Sequence, residues 1–330
     1  MRASTRTTLP PRVEPMLATA GAVPTGPGWS AESKWDGMRA LTSAAGTTWR
    51  LLTRTGRDAC DAFPELAVLP QLMAGRDVTL DAEIVALDPS GRPSFTRLQQ
   101  RMGVRRPDPA LLRRVPVTLY VFDVLHLDGQ ATLAEPYLRR RELLAGLNLH
   151  TPAIDTPPHF PDAGTEVLAV ATDRGLEGVV CKRDDSRYTP GRRSQAWIKT
   201  VIPHTADVVV CGWLPGRGRL QGSLGALLLG AYDRNGRLHY VGRVGTGLTG
   251  AERRQLQNEL ASVRRTTAPV HAEAVNTTAV TWVEPVLVAR VAYRTWTAQA
   301  QLRHPSWRGL QPDHEPSQAL LPDETEHSDA

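Results

Sequence analysis

The stretch Glu32-Ser-Lys-Trp-Asp-Gly-Met-Arg39 combines several kinds of chemistry within eight residues. Lys34 offers an amine, Asp36 a carboxylate and Arg39 a guanidinium, and the Asp-Gly pair is typical of a tight turn. The residues that precede the turn, from Gly28 onward, have the composition of a short strand. The pattern therefore predicts that Lys34 lies at a junction between a strand and a turn, with charged side chains close by.

Lysine is rare in this chain. Of the 39 Lys and Arg residues, 36 are arginine, and the three lysines are Lys34, Lys182 and Lys199. An arginine stays protonated in proteins, whereas a lysine can lose its proton and act as a nucleophile. The near-complete use of arginine elsewhere indicates that an amine is needed at these three positions.

The charge and the apolar pattern limit the class of protein. Residues 1–308 carry 39 basic against 28 acidic side chains, and such an excess favours a polyanionic partner, nucleic acid above all. No apolar run approaches the roughly 18 residues of a membrane span, and the N-terminus lacks an apolar secretion signal. The three cysteines have no C-x-x-C spacing, which argues against a disulfide framework or a zinc site. We therefore expect a cytoplasmic protein without a membrane partner.

The length of 330 residues predicts two domains, because a single apolar core rarely serves so long a chain. In the first domain, a strand over residues 78–87 places Asp81 and Glu83 on one face, since side chains alternate along a strand. A helix over residues 133–147 is predicted to carry Arg139, Arg140 and Arg141 on its outer face.

The predicted secondary structure changes near residues 202–205, where a domain boundary is expected. Several short strands and one helix, over residues 251–263, then fit a small β-barrel such as the OB-fold, although a small sandwich has the same pattern. Residues 319–330 are acidic and polar, and are predicted to form a disordered tail.

The stretch around Lys34 resembles the K-x-D-G-x-R signature of the covalent nucleotidyltransferases, which include ATP-dependent DNA ligases, RNA ligases and mRNA capping enzymes. Five segments that resemble the companion motifs of that family follow in the family's order. They are Leu52-Thr-Arg54-Thr-Gly56-Arg57, Leu80-Asp-Ala-Glu83-Ile-Val, Tyr120-Val-Phe122-Asp123, Glu177-Gly-Val-Val-Cys-Lys182 and Trp197-Ile-Lys199. All three lysines lie within this set of motifs.

Four further segments are similar to the bacterial DNA ligases of non-homologous end joining. They are Pro15-Met16-Leu17-Ala18, Gly191-Arg-Arg-Ser194, Gly242-Arg-Val-Gly245-Thr-Gly247 and Leu302-Arg-His-Pro305-Ser306. The resemblance implies an α+β fold. An adenylation (nucleotidyltransferase) domain of antiparallel sheets with flanking helices would occupy residues 1–202, and an OB-fold β-barrel would occupy residues 203–318.

The resemblance also implies a function. An ATP-dependent DNA ligase would transfer AMP from ATP to Lys34, then to the 5′-phosphate at a nick or break in duplex DNA, and the 3′-hydroxyl would finally displace AMP. The implied setting is DNA repair and recombination in the nucleoid, by a monomer, with a DNA-end-binding repair protein as a possible further partner.

Site residues are implied one by one. Lys34 would be the nucleophile, and Asp36 would assist the sealing step. Glu83 and Glu177 would hold Mg²⁺ or Mn²⁺, since hard divalent cations prefer carboxylate and water oxygens. Lys182 and Lys199 would stabilise charge at the α-phosphate of ATP.

The remaining implied nucleotide contacts concern the base and the sugar. Phe122 would stack on adenine and Glu32 would lie at its edge, while Arg39 and Arg54 would reach the ribose and phosphate. Phosphate contacts that do not depend on DNA sequence would come from exposed arginines. The candidates are Arg187, Arg192, Arg193, Arg217 and Arg219.

The sequence departs from the family pattern at three positions. In the family a second lysine usually stands two residues after the one that corresponds to Lys199, and this position is Val201 here. The C-terminal motif, usually R-x-D-K, reads Gln311-Pro-Asp-His314. In the family this last motif orients pyrophosphate during self-adenylation, so its loss predicts a slow first step.

Two other functions share much of this pattern. An RNA ligase or capping enzyme would use the same lysine chemistry on another substrate, but the bacterial-type C-terminal segments count against both. A nick-binding protein without catalysis would explain the altered C-terminal motif. Retention of all three lysines in an arginine-rich chain argues against that reading.

Overall fold

The computed structural model describes residues 8–270, 279–297 and 299–322. The chain forms two compact units, residues 1–202 and residues 203–330. Each unit has an apolar core of its own.

The first unit combines two β-sheets with flanking helices. Its strands are β1 (Leu17–Ala20), β2 (Trp29–Ser33), β3 (Met38–Ala45), β4 (Thr48–Thr53), β5 (Val78–Ala86), β6 (Val117–Leu127), β7 (Gln130–Ala131), β8 (Ile154–Asp155), β9 (Phe160–Pro161), β10 (Gly178–Arg183) and β11 (Arg193–Val201). Its α-helices are α1 (Leu69–Met73), α2 (Phe95–Gln99), α3 (Pro109–Arg114), α4 (Tyr137–Ala145) and α5 (Gly164–Asp173). Two short 3-10 helices, Cys60–Ala62 and Pro64–Val68, precede α1.

The signature around Lys34 passes from one sheet of this unit to the other. The first sheet has the strand order β1-β11-β10-β2-β9, and the second has the order β4-β3-β5-β6-β7 with β8 beside β6. Neighbouring strands are antiparallel except for the pairs β1 with β11 and β6 with β8. Because Glu32 lies on β2 and Arg39 on β3, the turn between them places Lys34 where the two sheets meet.

The second sheet packs one face against the helices. On β6, Val117, Leu119 and Val121 are buried in the main core, and burial of each such side chain is worth roughly 1.5–3 kcal/mol. Side chains on a strand alternate, so Phe122 points away from this core. It packs instead in a smaller cluster with Met16, Leu41 and Trp197.

Helix α4 differs from its prediction in both length and surface. It begins at Tyr137 and ends at Ala145, and Arg140 and Arg141 are buried instead of lying on the outer face. Arg140 makes a bidentate ion pair with Asp123, at 2.8 and 3.0 Å. Arg139 alone keeps an exposed side chain, paired with Glu142 at 2.8 Å. The prediction was wrong because these burials depend on partners far away in the sequence.

The second unit is a curled antiparallel sheet with one helix packed on it. Its strands are β12 (His204–Pro215), β13 (Leu224–Tyr232), β14 (Leu238–Val244), β15 (Arg264–Arg265), β16 (Thr281–Val283), β17 (Val288–Tyr293), β18 (Thr295–Trp296), β19 (Leu302–Arg303) and β20 (Ser306–Leu310). Strand β12 pairs with β13, β16 and β17, which bends the sheet around a core of Val, Leu and Trp side chains. Helix α6 (Gly250–Ala261) begins with a capping box formed by Thr249 and Glu252.

The end of the second unit is more ordered than the sequence predicted. The amide of Tyr232 donates to the carbonyl of Ala319 at 2.7 Å, and the amide of Leu321 donates to the carbonyl of Tyr232 at 2.8 Å. Ala319 is fully buried. The segment predicted as a disordered tail therefore starts with residues that pair with β13, and its remainder, residues 323–330, lies outside the described residues.

Candidate active site

Lys34 directly follows β2 and is held at both its backbone and its side chain. Its amide donates to the carbonyl of Gly178 at 2.8 Å, and its Nζ makes an ion pair with Glu177. About a fifth of the side chain, 21%, stays exposed. An amine in this position is both held in place and accessible, as a nucleophile must be.

Gly37 allows the turn after Lys34 to lie directly on β5. A Cβ at this position would lie 2.3 Å from the carbonyl oxygen of Ile84 and 2.9 Å from Cγ of Glu83. Any side chain would therefore push the turn off the strand. The glycine of the signature is thus required for close approach, and Lys34 lies near enough to Glu83 for its charge to act on that carboxyl group.

Glu83 carries the clearest electrostatic signal of the site. Burial, together with the negative charges of Asp81 and Glu177, raises its pKa to about 8, although Arg39 and Lys34 oppose the shift. A carboxyl group with such a pKa needs a further positive charge before it ionises fully. The group is therefore suited to a ligand that brings a cation.

Glu83 and Glu177 fit a divalent cation whose other ligands come from a bound phosphate compound and from water. Within residues 8–270, 279–297 and 299–322, no group of three or more His, Cys, Asp or Glu side chains forms a ready metal cage. Mg²⁺ is commonly held by only one or two carboxylates, with phosphate and water oxygens as its other ligands. Two carboxylates beside a nucleophile, one of them with a raised pKa, match that donor set.

Lys199 belongs to the same cluster as Lys34. Its pKa is lowered, first by partial burial and then by the positive charges of Lys34 and Arg193, while Glu177 opposes the change. Lys199 lies on β11 opposite Val180, which in turn lies opposite Glu32 on β2. We call Lys34, Glu83, Glu177 and Lys199 the phosphate-side cluster.

Lys182 has very different surroundings. Its Nζ lies 2.7 Å from Glu32 and over three aromatic rings, at 4.4 Å from the centroid of Trp197, 4.5 Å from Phe122 and 5.1 Å from Tyr137. Only 2% of its side chain is exposed, and this burial lowers its pKa in spite of Glu32. These contacts place Lys182 beside the aromatic residues of the site, whereas Lys199 is the lysine that lies near Lys34.

Glu32 is the centre of this second group. Tyr137 donates its hydroxyl to Glu32, and Arg141 approaches within 3.7 Å. Burial alone would raise the pKa of Glu32, but the positive charges of Lys182 and Arg141 outweigh it and lower the pKa. Glu32 is therefore an ionised acceptor. We call Glu32, Lys182, Phe122, Tyr137 and Trp197 the base-side cluster.

Arg39 connects the two clusters. It makes a bidentate ion pair with Asp81, with both distances 2.6 Å, and its guanidinium lies 4.7 Å from the centroid of the Phe122 ring. Its charge also acts on Glu83. Arg54 follows β4, and its amide donates to the carbonyl of Arg39 at 3.1 Å.

The five arginines predicted to contact DNA are all exposed. Arg187, Arg192 and Arg193 lie on or just before β11, and Arg193 donates to the carbonyl of Ala18. Arg217 and Arg219 lie in the second unit, in the connection between β12 and β13. Exposure is what a phosphate contact requires, and the assignment to DNA stays a prediction.

The altered C-terminal motif is held within the second unit. His314 Nδ1 lies 2.8 Å from Asp207, and the same carboxylate pairs with Arg290 at 2.7 and 2.8 Å. Gln311 donates its side-chain amide to the carbonyl of Leu310. Val201, the third departure, is 47% exposed at the end of β11.

Sequence reasoning missed several residues of the site. Tyr137, Arg141 and Tyr188 were not predicted as site residues, and Asp81 was predicted only to share a face with Glu83. The signal that could have revealed Arg141 is weak, because it is one of three consecutive arginines in a helix. Tyr188 stands three residues before Gly191 and had no charge to mark it.

Comparison with known proteins identifies the family. The family model for the ATP dependent DNA ligase domain matches residues 15–200, and the model for the ATP dependent DNA ligase C terminal region matches residues 220–314. The chain therefore belongs to the ATP-dependent DNA ligases. Its α+β fold, a nucleotidyltransferase domain followed by an OB-fold, is confirmed.

Within this family the chain is of the type found in bacterial end-joining proteins. It is 40% identical to the multifunctional non-homologous end joining DNA repair protein LigD of Mycobacterium tuberculosis over 317 residues, covering 93% of this chain and 39% of that protein. It thus spans about two-fifths of the length of such curated relatives. A DNA ligase of Natronomonas pharaonis is 32% identical, covering 93% of this chain and 56% of that protein.

Solved structures show the same relationship. The crystal structure of the ligase domain of M. tuberculosis LigD is 38% identical, with a TM-score of 0.54, and covers 93% of this chain and 98% of that one. A mycobacterial DNA ligase D complexed with ATP and MES is 39% identical, with a TM-score of 0.55, and covers 94% of this chain and 98% of that one.

No helix within the described residues is long and apolar enough to span a membrane.

Proposed function

We propose that this chain seals nicks or breaks in duplex DNA through a lysyl-AMP intermediate on Lys34. The observation that carries the proposal is the phosphate-side cluster. A partly exposed lysine is paired with Glu177, with Glu83 and Lys199 close by. This combination provides a nucleophile, two oxygen ligands and a second cation for one phosphate group.

The reaction would proceed as three displacements at phosphorus. Nζ of Lys34, after loss of its proton, attacks the α-phosphorus of ATP, so that an N–P bond forms and pyrophosphate leaves. A 5′-phosphate oxygen of the broken DNA strand then displaces Lys34 and takes up AMP. Finally the 3′-hydroxyl attacks the activated 5′-phosphate, and AMP leaves, with Asp36 assisting this last step.

The phosphate-side residues would each have a defined part. Lys199 stabilises the negative charge that develops on the non-bridging oxygens of the α-phosphate. Glu83 and Glu177 are the residues that would hold Mg²⁺ or Mn²⁺, and the cation, when bound, neutralises phosphate charge.

The base-side cluster supports recognition of adenine. Phe122 offers a ring face for stacking, and the ionised Glu32 accepts a hydrogen bond, for which the 6-amino group of adenine is the matching donor. Lys182 lies 2.7 Å from Glu32, so we assign it to the base side in place of the α-phosphate role that the family motif implied. Guanine presents a carbonyl at this position, and the carboxylate would repel it.

The finer assignments of substrate and partner rest on the relatives. Their name, non-homologous end joining DNA repair protein, favours double-strand breaks as the substrate and a DNA-end-binding protein as the recruiting partner. Arg187, Arg192, Arg193, Arg217 and Arg219 would contact DNA phosphates, and binding would then weaken steeply with salt.

The direct test is covalent labelling. The purified protein is first treated with pyrophosphate to remove bound AMP, and is then incubated with α-labelled ATP and Mg²⁺. We expect acid-labile label on the wild type, none on Lys34→Ala and none from GTP. Equal label on Lys34→Ala would overturn the assignment of the nucleophile.

A second substrate separates catalysis from self-adenylation. Nicked DNA that already carries AMP on its 5′-phosphate bypasses the first step. We expect the wild type to seal it. A protein that neither takes up label nor seals this DNA would be a nick-binding protein without ligase activity.

A further inference from the structure

Tyr188 is a buried tyrosine that contacts the ion pair between Arg39 and Asp81 through the Asp81 carboxylate. It is 3% exposed and lies in the connection between β10 and β11. Its hydroxyl donates to Oδ2 of Asp81 at 2.6 Å, and the hydroxyl oxygen of Tyr188 accepts from the amide of Met16 at 2.8 Å. Asp81, which is fully buried, is the carboxylate that holds Arg39.

These contacts close a ring of four groups. Arg39 donates to Asp81, and Tyr188 donates to Asp81 and accepts from Met16. Arg39 also donates through Nη2 to the carbonyl of Met16 at 3.3 Å. The backbone of Met16 is therefore fixed at its N–H by the phenol and at its C=O by the guanidinium.

The ring joins the two sheets of the first unit. Arg39 and Asp81 lie on β3 and β5 of the second sheet, whereas Met16 and Tyr188 lie just before β1 and between β10 and β11 of the first. Arg39 also lies 4.7 Å from the centroid of the Phe122 ring. The ring of hydrogen bonds therefore helps to set the direction of the Arg39 guanidinium and connects it to the first sheet.

The direction of each hydrogen bond in the ring is determined by chemistry. An amide N–H can only donate, so the phenol oxygen accepts from Met16 and must use its single proton towards Asp81. Burial and the charge of Asp81 raise the pKa of Tyr188 well above its usual value, so the phenol keeps this proton. Phenylalanine would preserve the edge-to-face contact with the Trp197 ring and remove only these two bonds.

We propose that Tyr188 is a positioning residue for ATP, acting through Asp81 on Arg39. This inference rests on the proposed function and on the role that the family resemblance implies for Arg39, contact with the ribose and phosphate of the nucleotide. Without the phenol, Asp81 loses the donor that ties it to Met16, and the Arg39–Asp81 pair is then anchored to Met16 only by the 3.3 Å bond from Arg39, so the guanidinium is held less firmly. The cost falls first on binding of ATP, which relies on this side chain before any covalent bond to the protein has formed.

Tyr188→Phe tests the proposal by separating KM from the maximal rate of self-adenylation. We expect the KM for ATP to rise about three- to tenfold, the loss of one or two buried hydrogen bonds, while the maximal rate changes less than about twofold. The maximal rate of sealing pre-adenylated nicked DNA should also change less than about twofold, because the phenol contacts no reacting atom. Tyr240→Phe is the matched control, because Tyr240 is a partly buried tyrosine of the second unit, and it should leave the KM for ATP at the wild-type value.

A double-mutant cycle with Asp81→Asn tests whether the two residues act together. We expect the combined variant to raise the KM for ATP less than the product of the two single effects. A merely structural role would lower the melting temperature of Tyr188→Phe and leave its KM for ATP at the wild-type value, and that result would overturn the proposal. A wild type that neither takes up label nor seals pre-adenylated nicked DNA would instead refute the proposed function itself.

Discussion

The two clusters of the site differ in how completely their charges are matched. In the base-side cluster, the carboxylate of Glu32 is ionised and contacts both Lys182 and a tyrosine hydroxyl, and these side chains are buried. In the phosphate-side cluster, Lys34 and Glu177 remain partly exposed, and Glu83 has a pKa raised to about 8 by burial and by its acidic neighbours. The charges of the base-side cluster are thus matched within the protein, whereas those of the phosphate-side cluster are only partly matched.

The difference shows that lysine has two roles at this site, one in the packing of the interior and one in chemistry. Lys182 is part of the folded interior, and Lys34 and Lys199 are available for chemistry. Removing one partner of a buried ion pair is strongly destabilising, whereas a partly exposed ion pair contributes little to stability. Substitutions of the three lysines should therefore separate stability from catalysis.

The largest effect is expected at Lys34. Lys34→Arg keeps the positive charge beside Glu177 but cannot supply a neutral amine, so formation of the protein–AMP adduct should fall by more than about 1,000-fold, to background. The melting temperature should stay close to that of the wild type. Mass spectrometry of the intact protein after incubation with ATP measures the fractions of free and AMP-bound protein. An adduct on the arginine variant would show that another residue accepts AMP.

The next effect distinguishes the two clusters directly. Lys182→Met removes the cation at 2.7 Å from the buried Glu32 and leaves it with the Tyr137 hydroxyl and Arg141 at 3.7 Å, so it should lower the free energy of unfolding by about 3–5 kcal/mol. Lys199→Met should change that free energy by less than about 1 kcal/mol and slow self-adenylation by about 100-fold or more. Urea denaturation and single-turnover labelling provide the two measurements. Equal losses of stability in both variants would remove the distinction between the clusters.

A smaller effect concerns the pH dependence of stability. The pKa of Glu83 is raised to about 8 in the folded protein, chiefly by burial, so protonation favours folding. This contribution is fully present below the ordinary carboxyl pKa of about 4.3 and is lost as the pH rises towards 8. In EDTA, Glu83→Gln should therefore melt about 5 °C above the wild type near pH 9, and the gap should shrink near pH 5.

Magnesium provides the control for this prediction. Added Mg²⁺ should raise the melting temperature of the wild type near pH 9 more than that of Glu83→Gln, because the cation favours the ionised carboxylate. A gap between the two proteins that stays the same at both pH values would contradict the charge argument.

The smallest effect is expected from the altered C-terminal motif. Gln311→Arg with His314→Lys restores two cations of the family pattern, and should accelerate self-adenylation about three- to tenfold. Sealing of pre-adenylated nicked DNA should not change, because triphosphate is absent from that step. If both rates stay at their wild-type values, the departures at these positions do not limit the first step.

Much of the architecture could be predicted from the sequence, because its signals are local. The α+β class, the adenylation domain and the OB-fold follow from strand patterns and motif order, and the comparisons confirm them. The position of Lys34 at the end of a strand follows from the Asp-Gly turn beside it. The structure brings Lys34, Glu83, Glu177 and Lys199 together, as their shared motifs suggested.

The burial of Arg140 and Arg141 could not be predicted, because it depends on distant partners. Arg140 pairs with Asp123, and Arg141 donates to the carbonyls of Phe122 and Pro157. A helix with three consecutive arginines predicts an exposed face unless those partners are known. The same holds for Lys182, whose surroundings depend on strand register across β2, β10 and β11.

The scarcity and unequal exposure of lysine have a practical consequence for chemical labelling. An amine-reactive reagent meets three lysine side chains in this protein, and Lys182, with 2% of its side chain exposed, is shielded from it. Modification of side chains in the folded state should therefore report on Lys34 and Lys199 almost exclusively. Counting the attached groups by mass would measure how much of a preparation already carries AMP, since an adenylated Lys34 no longer reacts.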